Sequence, residues 1–142
     1  MTARDDRLIF LVFTAQQQLR NYLKRRLADE GVRITAAQAA ILFILGGSNG
    51  QTMSELSQAL LVDNSTLTGM IDRLERMGFA TRVAHPGDRR AYRIEVSPEG
   101  LSEAQKAKKV LQEVNEEIRR DFSPGEMESF KRVLRAFFNK FH

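Results

Sequence analysis

The stretch from Leu74 to Ser97 restricts the fold more than any other part of the chain. A helically periodic run reaches Met77 and stops at Gly78, a residue suited to the left-handed turn that closes helices. Phe79–Ala84 and Ala91–Val96 then read as two strands. His85, Pro86, Gly87 and Asp88 are turn residues that join them. The result is a helix leading directly into a hairpin, with Asp88, Arg89 and Arg90 at its tip.

The other segments read as helices. Leu8, Leu11, Val12, Ala15, Leu19, Tyr22, Leu23 and Leu27 recur at helical spacing, and Gly31 closes the run. Arg20, Lys24, Arg25 and Arg26 occupy its polar face. Thr35 and Gln38 form a capping box for Ala36–Leu45, which is apolar on most sides and is expected to be the buried central helix. Gly46-Gly47-Ser48-Asn49-Gly50 breaks the chain. Thr52 and Glu55 form a second box, before a short amphipathic helix marked by Met53, Leu56, Ala59 and Leu60. Asp63 supplies an N-cap oxygen for a helix running to Met77. Its buried stripe is Leu67, Met70, Ile71, Leu74 and Met77, so Ser65, Thr68, Gly69, Asp72, Arg73 and Arg76 are expected to face outward.

Ser97 caps a further helix, with Pro98 at the first position where a missing N–H costs nothing. Leu101, Ala104, Lys108, Leu111, Val114, Ile118 and Phe122 follow it at close to a seven-residue repeat. Ser123-Pro124-Gly125-Glu126 opens a last helix striped with Met127, Phe130, Val133, Leu134, Phe137, Phe138 and Phe141. The expected fold is mainly α with a small β-hairpin. One lobe spans 34–97, and helices over 1–33 and 98–142 carry apolar stripes that this lobe cannot fully cover.

Several function classes drop out. The chain has no cysteine, which removes disulfides, thiolate nucleophiles and zinc–cysteine sites. His85 and His142 are the only histidines, so neither a histidine-rich metal site nor a bound cofactor is expected. No catalytic constellation is recognisable, and the reading is that of a non-enzyme. The glycine cluster at 46–50 lacks the lysine and preceding strand of a phosphate-cradling loop. The apolar run Leu8–Phe13 is short for a signal core and is preceded by Asp5 and Asp6. Ala36–Leu45 falls short of the ~20 residues that span a bilayer. The expectation is a cytoplasmic protein with no membrane partner.

What remains is polyanion chemistry. Two short helices joined by a tight turn, the second starting with small polar residues, match helix-turn-helix geometry. Asn64, Ser65, Thr66 and Thr68 would let that second helix enter a major groove, and Arg73 and Arg76 follow on its exposed face. Arg89 and Arg90 suit a narrow, negative minor groove. Asp88 would repel phosphate and is expected instead to orient an arginine fork. Over residues 73–93, six arginines oppose Glu75 and Asp88, a net +4 that equals the formal charge of the whole chain.

The run Asp63-Asn-Ser-Thr-Leu-Thr-Gly-Met-Ile-Asp-Arg-Leu-Glu-Arg-Met-Gly-Phe, with Asp88, Arg90 and Ser97-Pro98-Glu99-Gly100, resembles the MarR family of bacterial transcriptional regulators. Asp88-x-Arg90, some ten residues beyond Gly78, is the most specific element. Ser97 stands where the family often has threonine, and Pro98 is also less usual there. The resemblance implies a winged helix-turn-helix lobe with a helical dimerisation stem. It further implies a homodimer, built through the first and last two helices, on a pseudo-palindromic operator in double-stranded DNA. Repression, and release by a small aromatic or anionic effector, are implied as well. The alternative is a winged helix used for protein–protein contact without DNA.

Overall fold

The computed structural model describes residues 7–47 and 50–142, and for Asp88, Arg89 and Arg90 the backbone alone. Among them the order is α1 (Leu8–Asp29), α2 (Ala36–Gly47), β1 (Gln51–Thr52), α3 (Met53–Leu60), α4 (Asn64–Arg76), β2 (Ala80–His85), β3 (Asp88–Val96), α5 (Pro98–Arg119) and α6 (Pro124–Lys140). This is the mainly α fold with a small antiparallel sheet that the sequence leads one to expect.

Local chemistry sets the helix ends. At α2, Gln38 N–H donates to Thr35 Oγ1 at 3.1 Å, and Thr35 N–H to Gln38 Oε1 at 2.9 Å. Ser123 and Glu126 make the same reciprocal pair at α6. At α3 only half of the box forms. Glu55 N–H reaches Thr52 Oγ1, and the return bond comes from the Thr52 hydroxyl rather than its backbone. Two C-termini close on left-handed glycines. Gly31 and Val32 donate back to Ala28 and Leu27, as Gly78 and Phe79 do to Glu75 and Leu74. At α3 the left-handed position is taken by Leu61, with φ 55°.

Residues 1–110 and 111–142 form separate compact units. In the first, Ile41, Leu42 and Leu45 of α2 meet Leu56, Leu67, Ile71, Leu74 and Ile94 in a fully buried core. Each such side chain contributes roughly 1.5–3 kcal/mol of burial. The sheet has the order β1-β3-β2. Ala80 pairs with Val96 and Ala84 with Tyr92, and the register slips between Ala84 and His85. Gln51 and Thr52 pair with Ile94 and Arg93, so the segment read as a capped turn also adds a short strand. Helix α2 runs on through Gly46 and Gly47 before the described residues break off; Ser48 and Asn49 lie outside them.

The first half of α5 buries Ala104 as expected, but its buried face is rotated away from Leu101 and Lys108. Gly100, Glu103, Ala104, Ala107 and Val110 are buried, while Leu101 and Lys108 are exposed. Size decides this. A Cβ on Gly100 would lie 2.2 Å from the Phe79 carbonyl oxygen, so only glycine lets the helix approach the start of the hairpin this closely. Ser97 fixes the junction, accepting from Gly100 N–H at 3.0 Å and donating to Gly78 O at 2.6 Å. Glu103 is buried and accepts from Arg33 N–H at 2.6 Å. In α1 only Leu27 is buried, and Leu8–Phe13 are all exposed. In the second unit α6 buries no residue; Phe130, Val133, Phe138 and Phe141 stand more than half exposed.

Candidate nucleic-acid interface

The start of α4 is built by one carboxylate. Asp63, extended at φ −75° and ψ 164°, accepts from Thr66 N–H at 2.7 Å and from Ser65 Oγ at 2.9 Å. These bonds, the Thr66 backbone bond first among them, hold its carboxyl below the ordinary value of 3.8. The helix it caps turns Leu67, Ile71 and Leu74 inward, while Met70 and Met77, expected in the same stripe, are half-buried at its edge. That rotation leaves Asn64, Ser65, Thr66, Thr68, Arg73 and Arg76 exposed, so the expected reading residues share the outer side of one helix.

The hydroxyl geometry limits what this surface can say to a partner. Ser65 gives its proton to Asp63, and Thr68 gives its own to Asn64 O at 2.8 Å. Both therefore offer acceptor lone pairs outward, which fit the amino groups that adenine and cytosine present in the major groove. Arg73 and Arg76 add cationic donors further along, and no acid among the described residues pairs with either.

The hairpin differs from the expected form in two respects. First, Asp88 belongs to β3 and pairs with His85, which leaves Pro86 and Gly87 as the turn. The turn is tightened by Gly87 N–H donating to His85 Nδ1 at 3.0 Å. Arg89 and Arg90 thus sit on the strand leaving the turn; their side chains, and the expected fork with Asp88, lie outside the described residues. Second, the basic charge is not all available. Arg82 Nη2 bonds Asp72 Oδ1 at 2.8 Å, its Nη1 bonds Glu75 Oε1, and its backbone N–H donates to Glu75 Oε2 at 3.3 Å. Asp72, expected to face outward, is half-buried in this contact. Arg93 folds over Gly50, with its Nε buried and without a partner among the described residues.

Nothing in residue spacing announces the Arg82 contact. Asp72 and Glu75 lie one turn apart on α4, but the strand residue that meets them is known only once the hairpin has folded back. Among the described residues no group of three His, Cys, Asp or Glu side chains could hold a metal ion. No helix among them is long and apolar enough to cross a membrane.

Comparison with known proteins agrees with this geometry. Residues 34–92 match the model of the MarR family. The multiple antibiotic resistance protein MarR of Salmonella typhimurium is 28% identical over 131 residues, covering 91% of this chain and 87% of that protein. The crystal structure of a mutant MarR from E. coli, complexed with operator DNA, is 25% identical with a TM-score of 0.82, covering 91% of each chain. The PcaV transcriptional regulator from Streptomyces coelicolor, solved with its natural ligand, is 20% identical and shares the fold at a TM-score of 0.90 over 100% of this chain and 99% of that one. The lobe over residues 34–92 is therefore a MarR-family domain, and the fold of the chain is that of the solved MarR-type winged-helix structures.

Proposed function

We propose that the protein is a transcriptional regulator that binds double-stranded DNA as a homodimer on a pseudo-palindromic operator and represses by occupying it. The observation that carries this reading is the outer face of α4, where Asn64, Ser65, Thr66, Thr68, Arg73 and Arg76 are exposed together beside a hairpin rooted in the same lobe. The helix start would enter the major groove. Arg90, with Arg89, would reach the minor groove from the hairpin, oriented by Asp88. The two reading helices of a dimer would lie about one helical turn apart, ~10 base pairs. The operator-bound MarR structure from E. coli supports DNA as the partner. Exposed apolar surface on α1, and separately on α6, supports a second copy as the other partner. The ligand-bound PcaV structure supports a small-molecule effector, which would release DNA by favouring a spacing of the reading heads unfit for it.

Duplex fragments selected from the source genome should bind tightly at low salt, with affinity falling steeply as salt rises. Arg90→Ala should weaken binding by at least tenfold, the scale of one lost groove contact, and leave the dimer intact. A wild-type protein indifferent to duplex DNA at low salt would reject the reading in favour of a protein-contact module.

A further inference from the structure

We propose that Arg82 is a positioning residue: it clamps the hairpin to the reading helix and so fixes the distance between the two DNA-contacting elements. The inference rests on the reading of this lobe as a DNA reader, although neither Arg82 nor its two acids would touch DNA.

Asp72 and Glu75 lie one turn apart on the side of α4 that faces β2. The planar guanidinium spans them with one nitrogen each, at 2.8 Å to Asp72. Glu75 is held a second time by the Arg82 backbone N–H, so its carboxylate ties both the main chain and the side chain of β2 to the helix. Three bonds therefore cross between α4 and β2. The Arg82 side chain is three-quarters buried, while Asp72 and Glu75 remain partly open to water, so the clamp is shielded mainly on its arginine side. Directly across the ladder from Arg82 is Ile94, fully buried in the core. Beyond this pair β2 continues to Ala84, the register slips, and the strand passes through Pro86–Gly87 into the segment bearing Arg89 and Arg90. Among the described residues the clamp is thus the last side-chain hydrogen bonding between β2 and α4 before the tip.

Its charge matters as well. Asp72 and Glu75 are sequence neighbours of Arg73 and Arg76, and left unpaired they would set two negative charges beside the residues meant to meet phosphate. An arginine can hold both acids through its rigid fork. A lysine is a compact point charge on a flexible stem, and its three donors lack the planar geometry that fixes both carboxylates in one position.

The test is Arg82→Lys, which keeps the charge and loses the fork. Two quantities are read: hydrogen exchange of the β2 and β3 amides, and binding to a selected operator fragment against random duplex. We expect wing amides to exchange about tenfold faster or more. Operator affinity should fall about tenfold to a hundredfold, as a misplaced base contact costs, while random-duplex affinity stays within about threefold. The triple variant Arg82→Lys, Asp72→Asn, Glu75→Gln removes the unpaired acids without rebuilding the clamp, and its operator affinity should remain low. Wing exchange unchanged in Arg82→Lys would overturn the proposal, and so would recovery of operator binding in the triple variant. If the wild type ignores duplex DNA, the DNA reading fails, and the exchange measurement still decides the clamp.

Discussion

Leu61 sits at φ 55°, where Gly31 and Gly78 sit at the ends of their own helices, yet it carries a branched side chain that is 72% exposed. That conformation costs an L-residue ~1–2 kcal/mol. Leu61→Gly would remove the strain at little loss of burial, partly offset by the greater freedom of glycine in the unfolded chain. A net gain of about 0.5–1 kcal/mol in chemical unfolding is expected; a loss would show that the exposed leucine has a stabilising contact. Gly100 is the opposite case. Gly100→Ala would drive a methyl against the Phe79 carbonyl and, at 2.9 Å, the Val96 side chain. It should cost about 3 kcal/mol or more, at the upper end of overpacking, and a melting temperature close to wild type would refute the close approach. Asp63 gives a pH prediction. Its folded carboxyl titrates below 3.8, so folding favours the charged form. The stability it contributes is present above its unfolded value, near 4, and disappears as pH falls through the lower folded value. Wild type should therefore exceed Asp63→Ala by a constant margin above about pH 5, and the margin should shrink on acidification. A pH-independent difference would rule out the charged cap.

Among the elements, α4 was the most legible from sequence. A polar cap, apolar residues at 67, 71 and 74 and a closing glycine are all local signals, and the helix occupies Asn64–Arg76 as they indicate. Leu67→Ala should destabilise by about 2–5 kcal/mol, because its side chain is fully buried in the core. Arg76→Ala addresses the exposed side: it should weaken binding about equally across DNA sequences and reduce the salt slope by about one, readable in a titration at several salt concentrations. The α5 stripe was less legible. A hydrophobic repeat pointed to Leu101, Ala104 and Lys108; of these only Ala104 is buried, and close packing selected Gly100 and Ala107 beside it. Hydrophobicity indicates what prefers to be buried; where two backbones come within contact distance, the absence of side-chain volume decides.

For the whole molecule, the dominant quantity is uncovered apolar surface. Ile9 is 88% exposed on α1, and Phe138 is 60% exposed on α6. In a lone chain this surface would be costly, which is the physical ground for the second copy proposed above. Phe138→Glu and Ile9→Glu are each expected to shift sedimentation toward monomer and to weaken operator binding at least tenfold, since one half-site alone forfeits the linked second contact. Dimers that persist in both variants would place the interface elsewhere.

The amino-acid order by itself determined where most helices start and stop, that a hairpin follows the fourth, and which side of that helix carries polar groups. Caps, periodicity and glycine act within a turn or two of chain, so they are written in neighbouring residues. Only the tertiary structure decided that Gln51–Thr52 joins the sheet, that Glu103 is buried against Arg33, and that Arg82 is engaged by Asp72 and Glu75 instead of adding to the free basic charge. Each depends on segments brought together by folding, and the partner that neutralises a charge is set by distance in space, which spacing along the chain does not encode.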